Sequence, residues 1–448
     1  MHAYRASLLY FDPDATPAES ARFERDGVLL VAPDAQGCQR IVALGAYAAL
    51  RERLAHVPTT HWPGRVIAPG FVDLHSHYPQ VDVIGAPANG LLPWLERYTF
   101  PAEQGFAQPA HAAEVASFFT AELLRHGVTT ALTFATSHPS AVDALMAQAQ
   151  RSGMRLISGL CLMDRNAPPA LCNAAAPGRS AAEQSLLDTE ALIARWHGVG
   201  RLGYAITPRF APTSTPAQLA GAGELAARYP EVWIQSHVAE NRDEIAWVHQ
   251  LFPQARSYLD VYAGFGLLRP RAVYAHCIYL DDTDRALLRE RGAAAAVCPT
   301  SNLFLGSGAF DYASARRLGV PLGLGNDVGG GTSFSPFHTM LAAYTVGRDG
   351  QTKAGVSLHP QDLWWQHTLG AARALGLHGL VGNLVPGLEA DFIVLDPQAT
   401  PLLARRTQAA QTLDEWLFAF IVLGDERAVV HTAVAGAPTR PDGPANAA

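Results

Sequence analysis

Lysine and cysteine are both scarce in this 448-residue sequence: Lys353 is the sole lysine, and the five cysteines form no Cys-x-x-Cys pair. The odd number and wide spacing of the cysteines argue against a disulfide framework and a cysteine zinc site. They predict that the protein lies in a reducing compartment, the cytoplasm. No apolar run is long enough to span a membrane, and the first residues lack the order of a secretory signal. A net charge of −7 excludes a broad basic face for nucleic acid.

Apolar residues, in contrast, are plentiful, with 49% hydrophobic and 16% charged residues. This composition excludes a disordered chain, because such a chain buries too little apolar surface to fold. A single core rarely grows beyond ~300 residues. We therefore expect one large domain and one smaller domain.

Eight short apolar runs alternate with amphipathic segments in the central part of the chain, which indicates βα units. None of the runs alternates strongly between polar and apolar residues, so both faces of the sheet are expected to be covered. This pattern favours a closed parallel barrel, a (β/α)8 TIM-like fold over residues 68–379, although an open doubly wound sheet has the same alternation. The runs are residues 66–75, 128–135, 155–163, 202–207, 232–237, 272–276, 293–298 and 320–324.

The two ends of the chain have a different texture, with short strand-like segments separated by turn residues. Such segments occur at residues 7–11 and 27–31, and again at 388–395 and 428–434. We therefore predict a small β-sandwich domain composed of residues 1–67 and 380–448, with the barrel inserted between its two parts.

Potential metal ligands follow the predicted barrel strands. His75 and His77 end the first run and project to the same side of a strand, His237 and His276 end the fifth and sixth runs, and Asp327 follows the eighth. Active sites of parallel barrels lie at the C-terminal ends of the strands, so these side chains are expected to meet there. Each alone fits a hydrogen-bonded core histidine or a capping aspartate. Together at strand ends, they favour a Zn²⁺ site.

Glu240 lies three residues beyond His237, further along the same loop. A carboxyl group in this place is suited to carry protons rather than to bind the metal. It is equally suited to the first turn of a helix, where the helix dipole favours a negative charge. Both interpretations can hold together.

The ligand pattern resembles that of the amidohydrolase superfamily of metal-dependent hydrolases. Members with two metals usually bridge them through a carbamylated lysine on the fourth strand, but Lys353 lies beyond the eighth strand, and the fourth carries no glutamate as a substitute. The resemblance therefore implies the mononuclear subtype, with one Zn²⁺ per chain held by His75, His77, His237 and Asp327.

Within that superfamily the chain is similar to the guanine deaminases in several separate blocks, at residues 69–80, 97–103, 207–210, 298–303 and 325–328. The sequence departs from the usual pattern at Ala239, Cys277 and Asn326. The resemblance implies a cytoplasmic homodimer that hydrolyses guanine, a small purine, to xanthine and ammonia in purine metabolism, without a nucleic-acid or membrane partner.

The same resemblance implies roles for the catalytic residues. Asp327 is expected to accept a proton from the attacking water, His276 to orient that water, and Glu240 to protonate ring N3. These three residues form the predicted catalytic set.

The resemblance assigns substrate contacts to Gln80, Arg209 and Phe210. Guanine presents O6 and N7 as acceptors on one edge, which suits the parallel donors of Arg209. Phe210 is suited to cover the purine face and Gln80 to bind a polar edge. From residue type alone, Arg209 fits a structural salt bridge and Phe210 a core position equally well.

Two other functions stay open. One is deamination of another amino-heterocycle, such as an oxidised purine or a pterin, at the same site. The other is a catalytically silent barrel used for binding, which the retention of every ligand argues against.

Overall fold

The structure is a computed structural model that describes residues 1–349 and 354–439. Lys353 and the last residues of the predicted small domain, 440–448, lie outside the described residues. The strands in chain order are β1 (His2–Phe11), β2 (Ala21–Pro33), β3 (Gln39–Ala46), β4 (Thr59–Pro69), β5 (Phe71–His77), β6 (Val128–Phe134), β7 (Arg155–Gly159), β8 (Cys161–Leu162), β9 (Gly203–Pro208), β10 (Trp233–Val238), β11 (Ala272–His276), β12 (Ala294–Val297), β13 (Leu322–Leu324), β14 (Phe392–Leu395), β15 (Val429–Val434) and β16 (Ala437–Pro438).

The helices lie mainly between the strands of the central region. In chain order they are α1 (Tyr47–Leu50), α2 (Leu91–Trp94), α3 (Phe100–Gln104), α4 (Pro109–Arg125), α5 (Pro139–Ser152), α6 (Ala181–Trp196), α7 (Pro216–Arg228), α8 (Arg242–Leu251), α9 (Tyr258–Gly264), α10 (Asp282–Arg291), α11 (Pro299–Phe304), α12 (Tyr312–Leu318), α13 (Pro336–Gly347), α14 (Pro360–Gln366), α15 (Leu369–Ala374), α16 (Pro401–Gln408) and α17 (Leu413–Leu423).

A parallel sheet with eight strands in its main path forms the predicted barrel. Its hydrogen-bonded order is β13-β12-β11-β10-β9-β7-β6-β5, and the short β8 pairs with β9. The two ends of this order meet at the C-terminal rim, where the Asp327 N–H donates to the carbonyl of His75 at 2.7 Å. The TIM-like fold expected from the sequence is therefore confirmed.

The first predicted run, residues 66–75, is divided between two sheets, although its apolar pattern predicts a single strand. Residues up to Pro69 belong to β4 in the sheet of the chain ends, and β5 of the barrel begins at Phe71. Gly70 joins them because a Cβ at this position would lie 2.3 Å from Oγ1 of Thr129. A residue without a side chain is needed where the chain passes this close to its neighbour.

Strands from both ends of the chain pair in one seven-stranded sheet, in the order β16-β15-β14-β4-β1-β2-β3. Strand β14 runs antiparallel to β4, and this pairing joins the C-terminal segment to the N-terminal one. The small β domain expected from both ends is thus present. Its boundaries at residues 67 and 380 stay a prediction.

The apolar core lies both inside and around the barrel. Side chains from alternating strand positions, such as Val72, Leu132 and Ala205, fill the interior, while the helices pack against the outer face. In the described ranges, 1–349 and 354–439, no helix has the length and apolar character to cross a membrane.

Candidate metal and substrate site

The predicted ligands lie at the C-terminal rim of the barrel, as the strand positions require. His77 is the last residue of β5 and His75 lies two residues before it, His237 is the penultimate residue of β10, and His276 is the last residue of β11. Asp327 follows β13 by three residues. Parallel strands present their carboxyl ends at one rim, so residues far apart in the sequence meet there.

The backbone bends sharply where several of these residues leave their strands. His276 has a φ of 71° and Asp327 a φ of 49°, and Ala239 and Cys277 also have positive φ values of 50° and 52°. This left-handed region is disfavoured for residues with a side chain and often marks functional sites. Cys277, one of the departures from the usual pattern, therefore has a backbone conformation that glycine adopts more readily than a residue with a side chain.

Three imidazole nitrogens converge closely enough to hold a metal ion. Nε2 of His77 lies 3.2 Å from Nε2 of His75 and 3.1 Å from Nε2 of His237. Oδ1 of Asp327 lies 3.1 Å from Nε2 of His75 and 3.5 Å from that of His77. Tetrahedral ligands about 2.0 Å from a zinc ion stand about 3.3 Å apart. These donors therefore fit a metal of this kind.

The protonation of the histidines also suits metal binding. Nδ1 of His237 donates to the carbonyl of Arg209 at 2.6 Å, which leaves Nε2 as the lone-pair nitrogen. Burial, together with the neighbouring imidazoles, holds the pKa values of His77 and His237 well below the usual range. These rings are therefore neutral at physiological pH, the form that binds metals.

The two carboxyl groups of the site have opposite electrostatic character. Burial raises the pKa of Asp327, but His75 and the other imidazoles outweigh it and hold that pKa well below the usual range. For Glu240, burial and the charge of Asp327 raise the pKa to about 8, although the Ser307 hydroxyl donates to Oε1 at 3.0 Å. Asp327 is therefore ionised at neutral pH, while Glu240 largely keeps its proton.

His276 lies between these carboxyl groups. Its Nε2 is 3.3 Å from Oε2 of Glu240 and 4.0 Å from Oδ2 of Asp327, and its Nδ1 is 2.8 Å from Oδ1 of Asn302. It is set further from the other histidines than they are from one another. This position suits a group that contacts a reactant rather than a metal ligand.

The predicted substrate residues line the same cavity. Gln80, Arg209 and Phe210 are all in its wall, next to His237 and Glu240. Arg209 also forms the salt bridge that the sequence left as an alternative, since its Nη1 donates to Oε2 of Glu103 at 2.6 Å. The ion pair and a place in the cavity wall therefore coexist in Arg209.

Several residues that the sequence reasoning missed support these side chains. Glu103 contacts Arg209 and accepts from Nε2 of Gln80, and Glu244 accepts from the backbone N–H of Glu240. The block 97–103 contains Glu103, and the block 298–303 contains Asn302, so the resemblance had already pointed to their neighbourhood. Their hydrogen-bond partners could not be predicted from residue type or spacing.

The third departure from the usual pattern, Asn326, has a structural role. Its side chain donates to the carbonyl of Phe334 at 3.1 Å and accepts from the hydroxyl of Thr339 at 2.6 Å. Its N–H donates to Asp73, two residues before His75. Asn326 therefore ties the loop after β13 to both β5 and the start of α13.

Known proteins resemble this chain in sequence and in fold. The amidohydrolase family profile matches residues 66–438. Guanine deaminase from Escherichia coli (strain K12) is 43% identical over 94% of this chain and 92% of that protein.

Solved structures of guanine deaminases have the same fold. The structure of E. coli guanine deaminase has a TM-score of 0.92 and 41% identity, covering 98% of this chain and 99% of that one. That of guanine deaminase from C. acetobutylicum with bound guanine has a TM-score of 0.87 and 27% identity, over 98% and 99% of the two chains. The chain belongs to the amidohydrolase family and is similar along nearly its whole length to guanine deaminases.

Proposed function

We propose that this chain hydrolyses guanine to xanthine and ammonia, using one Zn²⁺ ion per chain. The observation that carries the proposal is the convergence of three imidazole nitrogens and two carboxyl groups on a cavity that also exposes Arg209 and Gln80. Similarity to guanine deaminases over nearly the whole chain supports guanine as the substrate.

His75, His77, His237 and Asp327 are the residues that would hold the ion. When bound, Zn²⁺ lowers the pKa of a water molecule to about 7 and so supplies a nucleophile near neutral pH. The fourth barrel strand, β9, has neither lysine nor glutamate. This composition supports a single ion rather than a bridged pair.

The chain's own groups would move the protons. Asp327 is ionised and accepts a proton from the attacking water, while Nε2 of His276 orients that water toward C2 of guanine. Glu240 gives its proton to ring N3. When the C2–N bond breaks, the hydroxyl proton on C2 returns to Glu240, and the proton on Asp327 leaves with the amine as ammonia.

The substrate would be held by its edge and its face. Arg209 donates to the acceptors O6 and N7 of guanine, and Phe210, packed edge-on against Trp247 at 6.0 Å, covers the ring. Gln80 contacts a polar edge through its amide. Adenine, which has an amino donor at C6, would leave Arg209 without an acceptor.

A panel assay of the purified protein tests the proposal. Ammonia release is measured with guanine, adenine, an oxidised purine and a pterin, and metal content is measured on the same sample. We expect the highest kcat/KM with guanine and one zinc ion per chain. A higher kcat/KM with the pterin or the oxidised purine would show that guanine is not the preferred substrate. Two metal ions per chain at full activity would contradict the single ion. Bound metal without ammonia release from any compound would indicate a catalytically silent barrel.

We propose further that the protein works in the cytoplasm as a homodimer. All five cysteines, Cys38, Cys161, Cys172, Cys277 and Cys298, are unpaired, which supports a reducing compartment. The dimer rests on the resemblance to guanine deaminases. Light scattering of the purified protein measures the mass in solution, and a monomer at micromolar concentration would contradict the dimer.

A further inference from the structure

Glu103 is a buried carboxylate that joins the two side chains proposed to read the substrate edge. Its Oε1 accepts from Nε2 of Gln80 at 2.9 Å, and its Oε2 accepts from Nη1 of Arg209 at 2.6 Å. Gln80 and Arg209 line the cavity, whereas Glu103 is outside the lining and has 0% of its surface exposed. Glu103 therefore acts on a ligand only through these two neighbours.

The local fold holds Glu103 firmly in this place. It lies in α3, which follows α2 through a π-helical turn at Leu95–Thr99. Such turns are rare and occur frequently at functional sites. Phe100, one turn before Glu103, places its ring 5.4 Å from the guanidinium carbon of Arg209. The same short helix thus supplies both the counter-charge and an apolar surface for Arg209.

The bond to Glu103 determines which end of the Gln80 amide is free. An ionised carboxylate accepts hydrogen bonds only, so the amide must turn its NH₂ group toward Glu103. The opposite end, Oε1, then lies where a Cβ on Gly329 would be 2.3 Å away. Glycine at this position makes room for the amide oxygen. The amide oxygen is therefore the end of Gln80 that Glu103 leaves free, and it can accept a hydrogen bond from a ligand.

Arg209 presents the complementary polarity. A guanidinium has five N–H donors and no acceptor, and Glu103 engages it through Nη1. The thiol of Cys161 is a second hydrogen-bond partner, and the donors that these two residues leave free are available to a ligand. Together the two side chains offer an acceptor and a donor, which matches a ligand edge that carries a donor beside an acceptor.

We propose that Glu103 is a positioning residue that sets this polarity and so makes the cavity selective for 6-oxopurines over 6-aminopurines. A 6-oxopurine has N1–H beside O6, whereas adenine has the reverse order, an acceptor N1 beside an amino donor. The inference rests on the proposed function, since it explains how the same site recognises guanine.

Binding of two purines that lack the 2-amino group tests the inference without turnover. Hypoxanthine and adenine differ in the donor and acceptor order at N1 and C6, and calorimetry gives their Kd values on the zinc-loaded protein. The variants are Glu103→Gln and, as a matched control, Glu389→Gln. Glu389 is also a buried glutamate paired with arginines, but it lies near the N-terminal ends of the barrel strands.

We expect the wild-type protein to bind hypoxanthine more tightly than adenine. Glu103→Gln should reduce the ratio of the two Kd values at least about tenfold, because the Gln80 amide can then rotate by 180° and exchange its donor and acceptor ends. Glu389→Gln should keep the preference. If Glu103 only stabilised the fold, its substitution would weaken the binding of both purines equally. An unchanged ratio of the two Kd values in Glu103→Gln therefore overturns the inference. If the wild-type protein releases ammonia from guanine and that ratio is unchanged, only the role of Glu103 fails. If it binds neither purine and releases no ammonia, the proposed function fails as well.

A second pair of variants decides the matter if Glu103→Gln does not fold because it leaves the buried charge of Arg209 unpaired. The double variant Glu103→Gln/Arg209→Gln removes both charges and is compared with Arg209→Gln alone. Both lack the arginine donors, so the comparison isolates the orientation of Gln80. We expect the preference for hypoxanthine to be at least about threefold smaller in the double variant. Equal preferences would contradict the inference.

Discussion

The barrel buries carboxylates at both ends of its strands, and the two ends balance their charges differently. Near the N-terminal ends, Glu389 is paired with Arg155 at 2.6 Å and with Arg201 at 2.9 Å. Arg201 also pairs with Asp391 at 2.5 Å, within this arginine cluster. At the C-terminal ends, Glu240 faces His276 and the negative charge of Asp327 across the cavity.

Glu389 and Glu240 are almost equally buried, with 4% and 3% of their surfaces exposed, yet their pKa values move in opposite directions. Burial alone would raise both. The charges of Arg201 and Arg155 outweigh it and lower the pKa of Glu389, whereas Asp327 adds to it and raises that of Glu240 to about 8. Burial therefore does not distinguish a carboxyl group that is ionised from one that keeps its proton. The charge of its neighbours does.

The largest effect is expected from Glu240→Gln, at the C-terminal ends of the barrel strands. The amide keeps the size of the side chain but carries no transferable proton, so kcat for guanine should fall ~10²–10⁴-fold. Zinc content, measured by elemental analysis, should stay at one per chain. Near-normal turnover would show that Glu240 serves only as a residue before helix α8.

The next effect is a loss of stability at the N-terminal ends of the barrel strands, where arginines balance the charge of Glu389. Glu389→Gln leaves the buried guanidinium groups short of one negative charge, and breaking such a cluster costs about 3–5 kcal/mol of unfolding free energy. Urea unfolding measures this loss. The folded variant should keep kcat/KM for guanine within about twofold, and a large kinetic defect would contradict the separation of the two ends.

Arg209 combines features of both ends of the barrel, because it forms a buried ion pair and also lines the cavity. Arg209→Lys should lower kcat/KM at least about tenfold, since an ammonium cannot reproduce the planar fork of donors. Arg209→Ala should in addition lower the melting temperature, because it leaves Glu103 buried without its counter-charge. A wild-type kcat/KM in the lysine variant would reduce Arg209 to a structural ion pair.

The smallest effect is the pH dependence of the Glu389 cluster. The pKa of Glu389 is lower in the folded protein than the value of about 4.3 in an unfolded chain. Its contribution to stability is therefore complete above that value and is lost as the pH falls through the folded pKa. The difference in unfolding free energy between wild type and Glu389→Gln should shrink between pH 6 and pH 3. A constant difference would show that the ionisation of Glu389 contributes nothing.

The sequence by itself determined the barrel and the place of the predicted metal ligands. Apolar runs of strand length, separated by amphipathic segments, allow few ways of burying both faces of a sheet, and the ends of parallel strands necessarily share one rim. For this reason the sequence alone predicted that five residues meet at one rim: His75, His77, His237, His276 and Asp327. The division of the first run at Gly70 could not be predicted, because it depends on the close approach of Thr129.

Only the tertiary structure decided how the groups around the ligands are paired. Arg209 and Glu103 are 106 residues apart, and Arg155 and Glu389 are 234 residues apart. In the sequence these two arginines and two glutamates look alike, since residue type gives neither burial nor partner. Which carboxylate is neutralised and which keeps its proton is an electrostatic property of the folded chain, because charges interact through short distances in space that local patterns do not encode.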